Sequence, residues 1–210
     1  MTRIYLVRHG ETEFNRMGIF RGRFEVDLND RGRKQAAEIG AALKNQGIEA
    51  LYSGPLRRAR ETAEIVGREI GVRPRTDPAF DNICLGEWQG MAKDKVKRDY
   101  PKLWHCWQTA PEDLLLPGGE TVEEVKRRAY ARVLEIVEGG RDKDRVICIV
   151  THRSVVKGLA AAFLGVPRPY FWKFYIDNAA YSVFEHDSSG FSLVSWNANS
   201  HLSERVIEVF

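Results

Sequence analysis

Residues 4–12 read Ile4-Tyr5-Leu6-Val7-Arg8-His9-Gly10-Glu11-Thr12, an apolar run that passes directly into arginine and histidine. A continuous apolar run of this length is typical of a strand buried on both faces of a parallel sheet. Such a strand presents Arg8 and His9 at the carboxyl edge of the sheet, where open α/β folds bind their ligands. Arginine offers a rigid fork of donors for phosphate, and a neutral imidazole is a nucleophile near pH 7. The pair predicts a site where a phosphoryl group is transferred to histidine; a surface strand end without function is the alternative.

The rest of the chain alternates strand and helix patterns, which indicates an α/β fold with a mostly parallel sheet and helices on both faces. Further strands are predicted at residues 50–53, 146–150, 179–185, 191–196 and 205–209. Helical spacing of apolar residues predicts helices at residues 31–46, 55–70 (opening with Pro55), 121–138 (with a Thr121/Glu124 capping box) and 154–164. Residues 77–119, which are rich in Trp, Pro and Gly, are expected to form a lid-like insertion over the sheet edge.

The length, composition and charge of the chain exclude several classes of protein. The chain has 210 residues, 43% of them hydrophobic, and a net charge of +3, which suits a single domain spanning residues 1–210. The mild charge argues against a nucleic-acid partner, and no apolar stretch approaches the ~18 residues that suggest a membrane span. The three unevenly spaced cysteines predict no disulfide framework. Because the first residues begin a strand at once and lack the layout of a signal peptide, a cytoplasmic protein is expected.

Two more chemically capable side chains follow predicted strands. Arg58 lies in the first turn of a predicted helix, and His152 comes directly after an apolar strand. We expect Arg8, Arg58 and His152 to surround a phosphoryl group at one sheet edge. His9 would attack phosphorus in line, and water would then release inorganic phosphate from phosphohistidine. Because the arginines supply the charge compensation, no metal or other cofactor is expected. Taken singly, each residue is equally explained as a solvated or structural side chain.

These segments resemble the signatures of the histidine phosphatase superfamily, also called the phosphoglycerate mutase-like family. The resemblance covers nearly the whole chain and is carried by residues 6–12, 15, 21–22, 28–36, 54–63, 119–121, 151–152 and 177–179. It implies a three-layer α/β/α sandwich. It also implies that His9 is the phosphorylated nucleophile and that Arg8, Arg58 and His152 hold the phosphate.

Four further residues are candidate contacts with substrate. Asn15 can donate its amide to a phosphate oxygen, and Gly22 lets the backbone approach a ligand closely. Arg21 and Arg153 stand where the family commonly has Gln and Gly, and their charges favour a substrate with a second anionic group. Alternatively, both arginines point to solvent or pair with nearby acids, namely Glu11, Glu13 or Glu87.

The chain departs from the family at the general acid. The family usually places a Glu four residues before the first glycine of the segment that here reads Gly86-Glu87-Trp88-Gln89-Gly90, and this position holds Asn82. An amide cannot protonate a leaving alkoxide, although it can orient water or bind substrate. Asp81 is the substitute acid if the loop shifts, but on an extended segment its side chain points the other way. Glu87 is a weaker candidate.

The sequence therefore predicts a metal-independent phosphomonoester hydrolase that acts on a small phosphorylated metabolite through phosphohistidine. A phosphoglycerate mutase is the alternative, although mutases that use a bisphosphate cofactor tend to be longer in the lid region. Asn82 supports a third hypothesis, a weakly active or inactive member that binds phosphorylated ligands. Five large aromatic residues are expected in the core, with a lid or the face of a homodimer as alternatives: Trp88, Trp104, Trp107, Phe171 and Trp172.

Overall fold

A mixed sheet of six strands forms the centre of the fold in this computed structural model, which describes residues 1–139 and 144–204. The order across the sheet is β3-β2-β4-β1-β5-β6, where the strands are β1 (Thr2–Arg8), β2 (Ala50–Ser53), β3 (Pro74–Thr76), β4 (Arg145–Thr151), β5 (Tyr181–Asp187) and β6 (Gly190–Ala198). The first four strands run parallel, whereas β5 lies antiparallel to both β1 and β6. The predicted mostly parallel sheet is confirmed, and the strand expected at residues 205–209 lies outside the described residues.

The helices are α1 (Glu13–Arg16), α2 (Asp30–Leu43), α3 (Arg57–Ile70), α4 (Lys93–Asp99), α5 (Pro101–Thr109), α6 (Val122–Glu138) and α7 (Arg153–Phe163). The predicted capping box is present at α6, because the Thr121 side chain accepts from the Glu124 amide and the Thr121 amide donates to the Glu124 carboxylate. The prediction that Pro55 opens α3 was wrong. Leu56 keeps an extended backbone (φ −72°, ψ 143°) as the N-cap, so the helix begins at Arg57.

Helices cover both faces of the sheet because successive strand residues point to opposite sides. On one face, Ile4 and Leu6 of β1 belong to a buried core with apolar residues of α6 and α7. On the other face, Tyr5 and Val7 belong to a second core with residues of α2 and α3. The result is the expected three-layer α/β/α sandwich.

Residues 77–119 hold α4, α5 and three short 3₁₀ turns: Pro78–Phe80, Gly86–Trp88 and Pro111–Asp113. Trp88, Trp107 and Phe171 are buried, as expected for core residues. Trp104 and Trp172 pack against that core as expected, but they are only partly buried. None of the helices in residues 1–139 and 144–204 combines the length and the apolar character that a membrane crossing requires.

Candidate active site

The two histidines singled out in the sequence meet at the carboxyl ends of neighbouring parallel strands. In the register of β1 and β4, Arg8 is the partner of Thr151, and the His9 amide donates to the Thr151 carbonyl over 3.0 Å. His152 follows Thr151 directly and is the N-cap of α7. The rings of His9 and His152 are therefore adjacent, with centroids 5.2 Å apart.

Hydrogen bonding determines the tautomer of His9. Its Nδ1 lies 2.7 Å from the Gly10 carbonyl oxygen, which can only accept a hydrogen bond. The proton therefore resides on Nδ1, and the lone pair lies on Nε2. Burial, together with the positive charges of Arg58 and Arg8, holds the pKa of His9 well below its usual range. His9 is thus a neutral imidazole at pH 7, which is the form that acts as a nucleophile.

Arg8 and Arg58 carry buried charges, and the exposed fraction of each side chain is 0%. Arg8 donates from Nη1 to the Ile176 carbonyl over 2.8 Å. Arg58 donates from Nη1 to the Phe24 carbonyl and from Nη2 to the Gly22 carbonyl, both over 2.8 Å. Burial lowers the pKa of Arg58 to about 9, which still leaves the guanidinium charged at pH 7.

The His152 ring is a buried polar group for which the described residues supply no hydrogen-bond partner. Its exposed fraction is 1%, and within the described part of the chain neither ring nitrogen has a partner. Gly54 permits this position, because a Cβ there would lie 3.1 Å from His152 Nε2 and 2.5 Å from the Phe80 carbonyl oxygen. Burial and the charge of Arg58 hold the pKa of His152 well below its usual range. A buried imidazole without a partner costs free energy unless a ligand satisfies it.

His9 and His152 line a pocket together with Arg8, the loop between α1 and α2, residues 82–93, the start of α7, and the rings of Trp107 and Phe171. Among the residues that the structure describes, no Asp or Glu lines this pocket. Arg58 is outside the lining and donates to the carbonyl of Gly22, which does line it. A pocket lined by cations without a carboxylate favours an anionic ligand. The polar lining residues are Arg8, His9, Arg21, Asn82, Lys93, His152, Arg153 and Ser154.

A family model of the histidine phosphatase superfamily (branch 1) matches residues 4–199. The chain belongs to the histidine phosphatase superfamily. It is 30% identical to phosphoserine phosphatase 1 of Hydrogenobacter thermophilus over 99% of this chain and 98% of that protein. It is 32% identical to a glucosyl-3-phosphoglycerate phosphatase of Mycolicibacterium vanbaalenii, over 79% of this chain and 75% of the relative. The solved structure of Bacillus stearothermophilus YhfR is similar with a TM-score of 0.91 and 30% identity, over 97% of this chain and 100% of that one. The family inferred from the motifs is confirmed.

In this histidine phosphatase, the position of the expected general acid lies in the pocket and holds Asn82. Its Nδ2 donates to the Gly22 carbonyl and its Oδ1 accepts from Ser154 Oγ, both over 2.8 Å. Both ends of the amide are thus engaged, and an amide has no proton to deliver at neutral pH. Asn82 instead ties the Gly22 loop, which also accepts from Arg58, to the first turn of α7.

The structure does not bring the two substitute acids to the pocket. Asp81 has an extended backbone (φ −66°, ψ 158°), so its side chain points away from that of Asn82. Its carboxylate pairs with Arg23 over 3.1 Å, and burial raises the pKa of Asp81. Glu87 is exposed in its 3₁₀ turn. A role as acid would require Asp81 to leave Arg23 and turn toward the pocket.

Three of the four predicted substrate contacts, Arg21, Gly22 and Arg153, line the pocket. Asn15 is outside the lining. Its Oδ1 accepts from the Thr12 amide over 3.1 Å and from Thr12 Oγ1 over 2.8 Å, which completes the N-terminal cap of α1. Asn15 therefore organises the loop after His9, and its direct contact with phosphate stays a prediction.

The acids suggested as partners for these arginines have other contacts. Glu13 pairs with Arg16 over 2.6 Å, and the buried Glu11 accepts from Asn29 Nδ2 over 2.8 Å. Glu87 is exposed. Both arginines line the pocket. Their contact with a second anionic group of the substrate stays a prediction.

Sequence analysis missed two polar residues of the pocket. Lys93 begins α4, and Ser154 lies in the first turn of α7. Lys93 has no signal that separates it from the solvated lysines of the same charged stretch. Ser154 follows the His152–Arg153 pair directly, and this proximity at a helix start is a signal that could have found it.

The low pKa values of the two histidines predict a loss of stability in acid. Below pH 6.5 the unfolded chain takes up protons on His9 and His152 that the folded protein excludes, so stability present above pH 6.5 is lost as the pH falls. Between pH 7 and pH 5.5 the two groups together should cost about 2 kcal/mol of unfolding free energy.

Denaturant unfolding at a series of pH values checks this expectation. The His9→Asn/His152→Asn double variant should lose about 2 kcal/mol less than the unmodified protein over that range. Carboxylates and His201 are common to both proteins, so their contributions cancel in the comparison. Equal pH dependence of the two proteins would show that both histidines take up protons as readily in the folded protein as in the unfolded chain.

Proposed function

We propose that this histidine phosphatase is a metal-independent phosphomonoester hydrolase that works through a phosphohistidine at His9. The observation that carries the proposal is the pairing of two neutral, buried imidazoles in a cationic pocket. His9 presents an Nε2 lone pair, and His152, with centroid 5.2 Å away, has unpartnered ring nitrogens within the described residues. The first group suits attack on phosphorus, and the second suits donation to a phosphoryl oxygen.

The reaction has two displacements at phosphorus. His9 Nε2 attacks in line, a nitrogen–phosphorus bond forms, and the bond to the leaving oxygen breaks with its electron pair on that oxygen. Water then attacks the phosphohistidine, loses a proton to solvent and returns the electron pair to Nε2, which releases inorganic phosphate. Arg8, Arg58 and His152 stabilise the charge on the equatorial oxygens. The two arginines supply the positive charge that a metal provides in other phosphoryl-transfer sites, and neutral His152 contributes as a hydrogen-bond donor.

The pocket supports a small phosphorylated metabolite with a second anionic group as substrate. Arg21, Lys93 and Arg153 add positive charge to the lining beyond the pair of histidines. The named substrates of two relatives, phosphoserine and glucosyl-3-phosphoglycerate, both carry a carboxylate. We place the enzyme in the cytoplasm, where its three free cysteines, Cys84, Cys106 and Cys148, stay reduced.

Hydrolysis of a panel of phosphomonoesters in the presence of a chelator tests the proposal. We expect release of inorganic phosphate without added metal, and faster hydrolysis of esters that carry a carboxylate than of simple alkyl phosphates. Conversion of 3-phosphoglycerate to 2-phosphoglycerate, dependent on a bisphosphate, would favour the mutase alternative. Calorimetric binding of these esters without hydrolysis would favour a binding protein without catalysis.

A further inference from the structure

A second cavity adjoins the phosphate pocket and is called the annex here. Its lining consists of Lys93, Trp104, Trp107, Gln108, Arg153 and Trp172. Lys93, Trp107 and Arg153 line both cavities, so the two lie side by side. The annex encloses about 150 Å³, and a cavity of roughly that volume accommodates a benzene ring. Its position fits the leaving group of a phosphomonoester whose phosphorus lies at His9.

The annex has aromatic walls. Trp172 Nε1 donates to the Trp107 carbonyl over 2.7 Å, and the two indole rings stand perpendicular with centroids 5.5 Å apart. Trp104 lies one helical turn before Trp107 on α5. Perpendicular and offset aromatic surfaces favour a planar ring as their neighbour. Aliphatic leaving groups such as serine or glycerate gain less from such walls.

Positive charge lies against these aromatic walls, because Arg153 and Lys157 both lie over the Trp172 ring. The Arg153 guanidinium is 5.7 Å from the centre of the Trp172 ring, and Lys93 lines the annex as well. Within residues 1–139 and 144–204, no Asp or Glu lines either cavity. A ring that carries an anion therefore fits the annex better than a neutral or cationic ring.

The missing acid points to the same class of leaving group. Asn82 cannot protonate a departing oxygen, and Asp81 is engaged with Arg23 outside the pocket. A leaving group must then depart as the free anion. Phenols have a pKa of about 10, as for tyrosine, whereas the pKa of an aliphatic hydroxyl is far higher and close to that of water. A phenolate leaves unassisted far more readily than an alkoxide.

We propose that the preferred substrate is an aryl phosphomonoester whose ring carries a carboxylate. This proposal rests on the proposed function and specifies its substrate class. The phosphoryl group binds at His9, the ring binds in the annex beside Trp104 and Trp172, and the carboxylate binds at Arg153 and Lys93. In the chemical step the His9 Nε2–phosphorus bond forms, the aryl oxygen–phosphorus bond breaks, and the phenolate takes its proton from water.

The prediction that the leaving group departs as an unprotonated phenolate is tested with substituted phenyl phosphates. For the unmodified enzyme, log kcat/KM should fall steeply as the pKa of the leaving phenol rises, and phosphoserine should be hydrolysed more slowly than every aryl ester. In the Asn82→Glu variant, the slope should flatten and the gain should be greatest for phosphoserine. If log kcat/KM of the unmodified enzyme did not depend on the pKa of the leaving phenol, another group would be protonating the leaving oxygen. That result would overturn the preference for aryl esters. Absence of hydrolysis across the series would instead defeat the proposed function.

The prediction that the annex binds the ring and its carboxylate is tested with 4-carboxyphenyl phosphate and phenyl phosphate. The ratio of kcat/KM for 4-carboxyphenyl phosphate to kcat/KM for phenyl phosphate should fall about tenfold in Arg153→Gln, because the charge that binds the carboxylate is lost. The difference in intrinsic reactivity between the two esters is the same for both enzymes and does not affect this comparison. The ratio of phenyl phosphate to phosphoserine should fall about tenfold in Trp172→Leu. Arg98→Gln, an exposed residue of α4 that pairs with Asp99, is the matched control and should change neither ratio.

Competitive inhibition by inorganic phosphate monitors folding in these variants. An unchanged inhibition constant shows that the phosphate pocket is intact, so any altered ratio reports on the annex alone. If Trp172→Leu loses phosphate binding, Trp104→Leu serves as the second annex variant. Unchanged ratios in Arg153→Gln and in a tryptophan variant with intact phosphate binding would overturn the annex as the leaving-group site.

Discussion

Replacing His9 with alanine is expected to lower kcat/KM for p-nitrophenyl phosphate by about 10⁴-fold or more. The substitution removes the Nε2 lone pair, which the Nδ1 bond to Gly10 leaves available for phosphorus. The backbone of β1 is unaffected, because the amide of residue 9 still donates to Thr151. Steady-state hydrolysis and a thermal unfolding curve of the same preparation measure the effect.

Phosphoenzyme labelling makes the test specific to the nucleophile. Rapid quench with a labelled phosphoryl donor should give an acid-labile, base-stable phosphoryl group on the unmodified enzyme and on His152→Asn, but none on His9→Ala. His105→Ala, an exposed histidine of α5, is the matched control and should keep both label and activity. Turnover that persists in His9→Ala would refute the phosphohistidine mechanism.

Replacing Arg58 with methionine is expected to lower kcat by 10²- to 10³-fold, which is about the effect of removing one preorganised donor from a transition state. Arg58 is fully buried, and its charge acts on both His9 and His152. It also holds the Gly22 and Phe24 carbonyls over 2.8 Å. Methionine keeps most of the side-chain volume and removes the charge together with both hydrogen bonds.

Two further variants separate charge from folding in this test. Arg58→Lys retains a positive charge without the planar fork and should recover part of the lost activity. Arg57→Met changes the exposed neighbour, whose guanidinium lies 3.7 Å from Asp27, and should retain full activity. If Arg58→Met folds normally and hydrolyses phosphomonoesters at the unmodified rate, Arg58 has no part in phosphoryl transfer.

Local sequence patterns were sufficient to predict the α/β fold of this protein and the positions of its two site histidines. The apolar runs before His9 and His152 predict buried parallel strands, and parallel strands end at one edge of a sheet. That rule alone brings the two histidines near each other. The alternation of an extended chain likewise predicted that Asp81 points away from the side of Asn82, and the ion pair with Arg23 agrees with it. These features depend on neighbours in sequence, so sequence suffices.

Position within a regular element did not predict which polar side chains reach the pocket. Asn15 looked like a phosphate donor, yet its Oδ1 caps α1 and the residue is outside the pocket lining. Lys93 looked like any solvated lysine, yet it lines both the pocket and the annex. Trp104 and Trp172 looked like core residues and are only partly buried. The positions of Lys93, Trp104 and Trp172 depend on how the insertion packs against its surroundings, whereas the cap that Asn15 forms with Thr12 is local.

The sequence by itself determined the α/β frame, the family and the placement of Arg8, His9, Arg58 and His152 at strand ends and a helix start. These follow from periodicity and short motifs, which are local properties of the chain. Only the tertiary structure decided that the histidine rings lie 5.2 Å apart. It also decided that the two adjoining cavities lack carboxylates among the described residues. Such features arise where segments distant in sequence meet, because burial and electrostatic environment depend on all of the surrounding elements together.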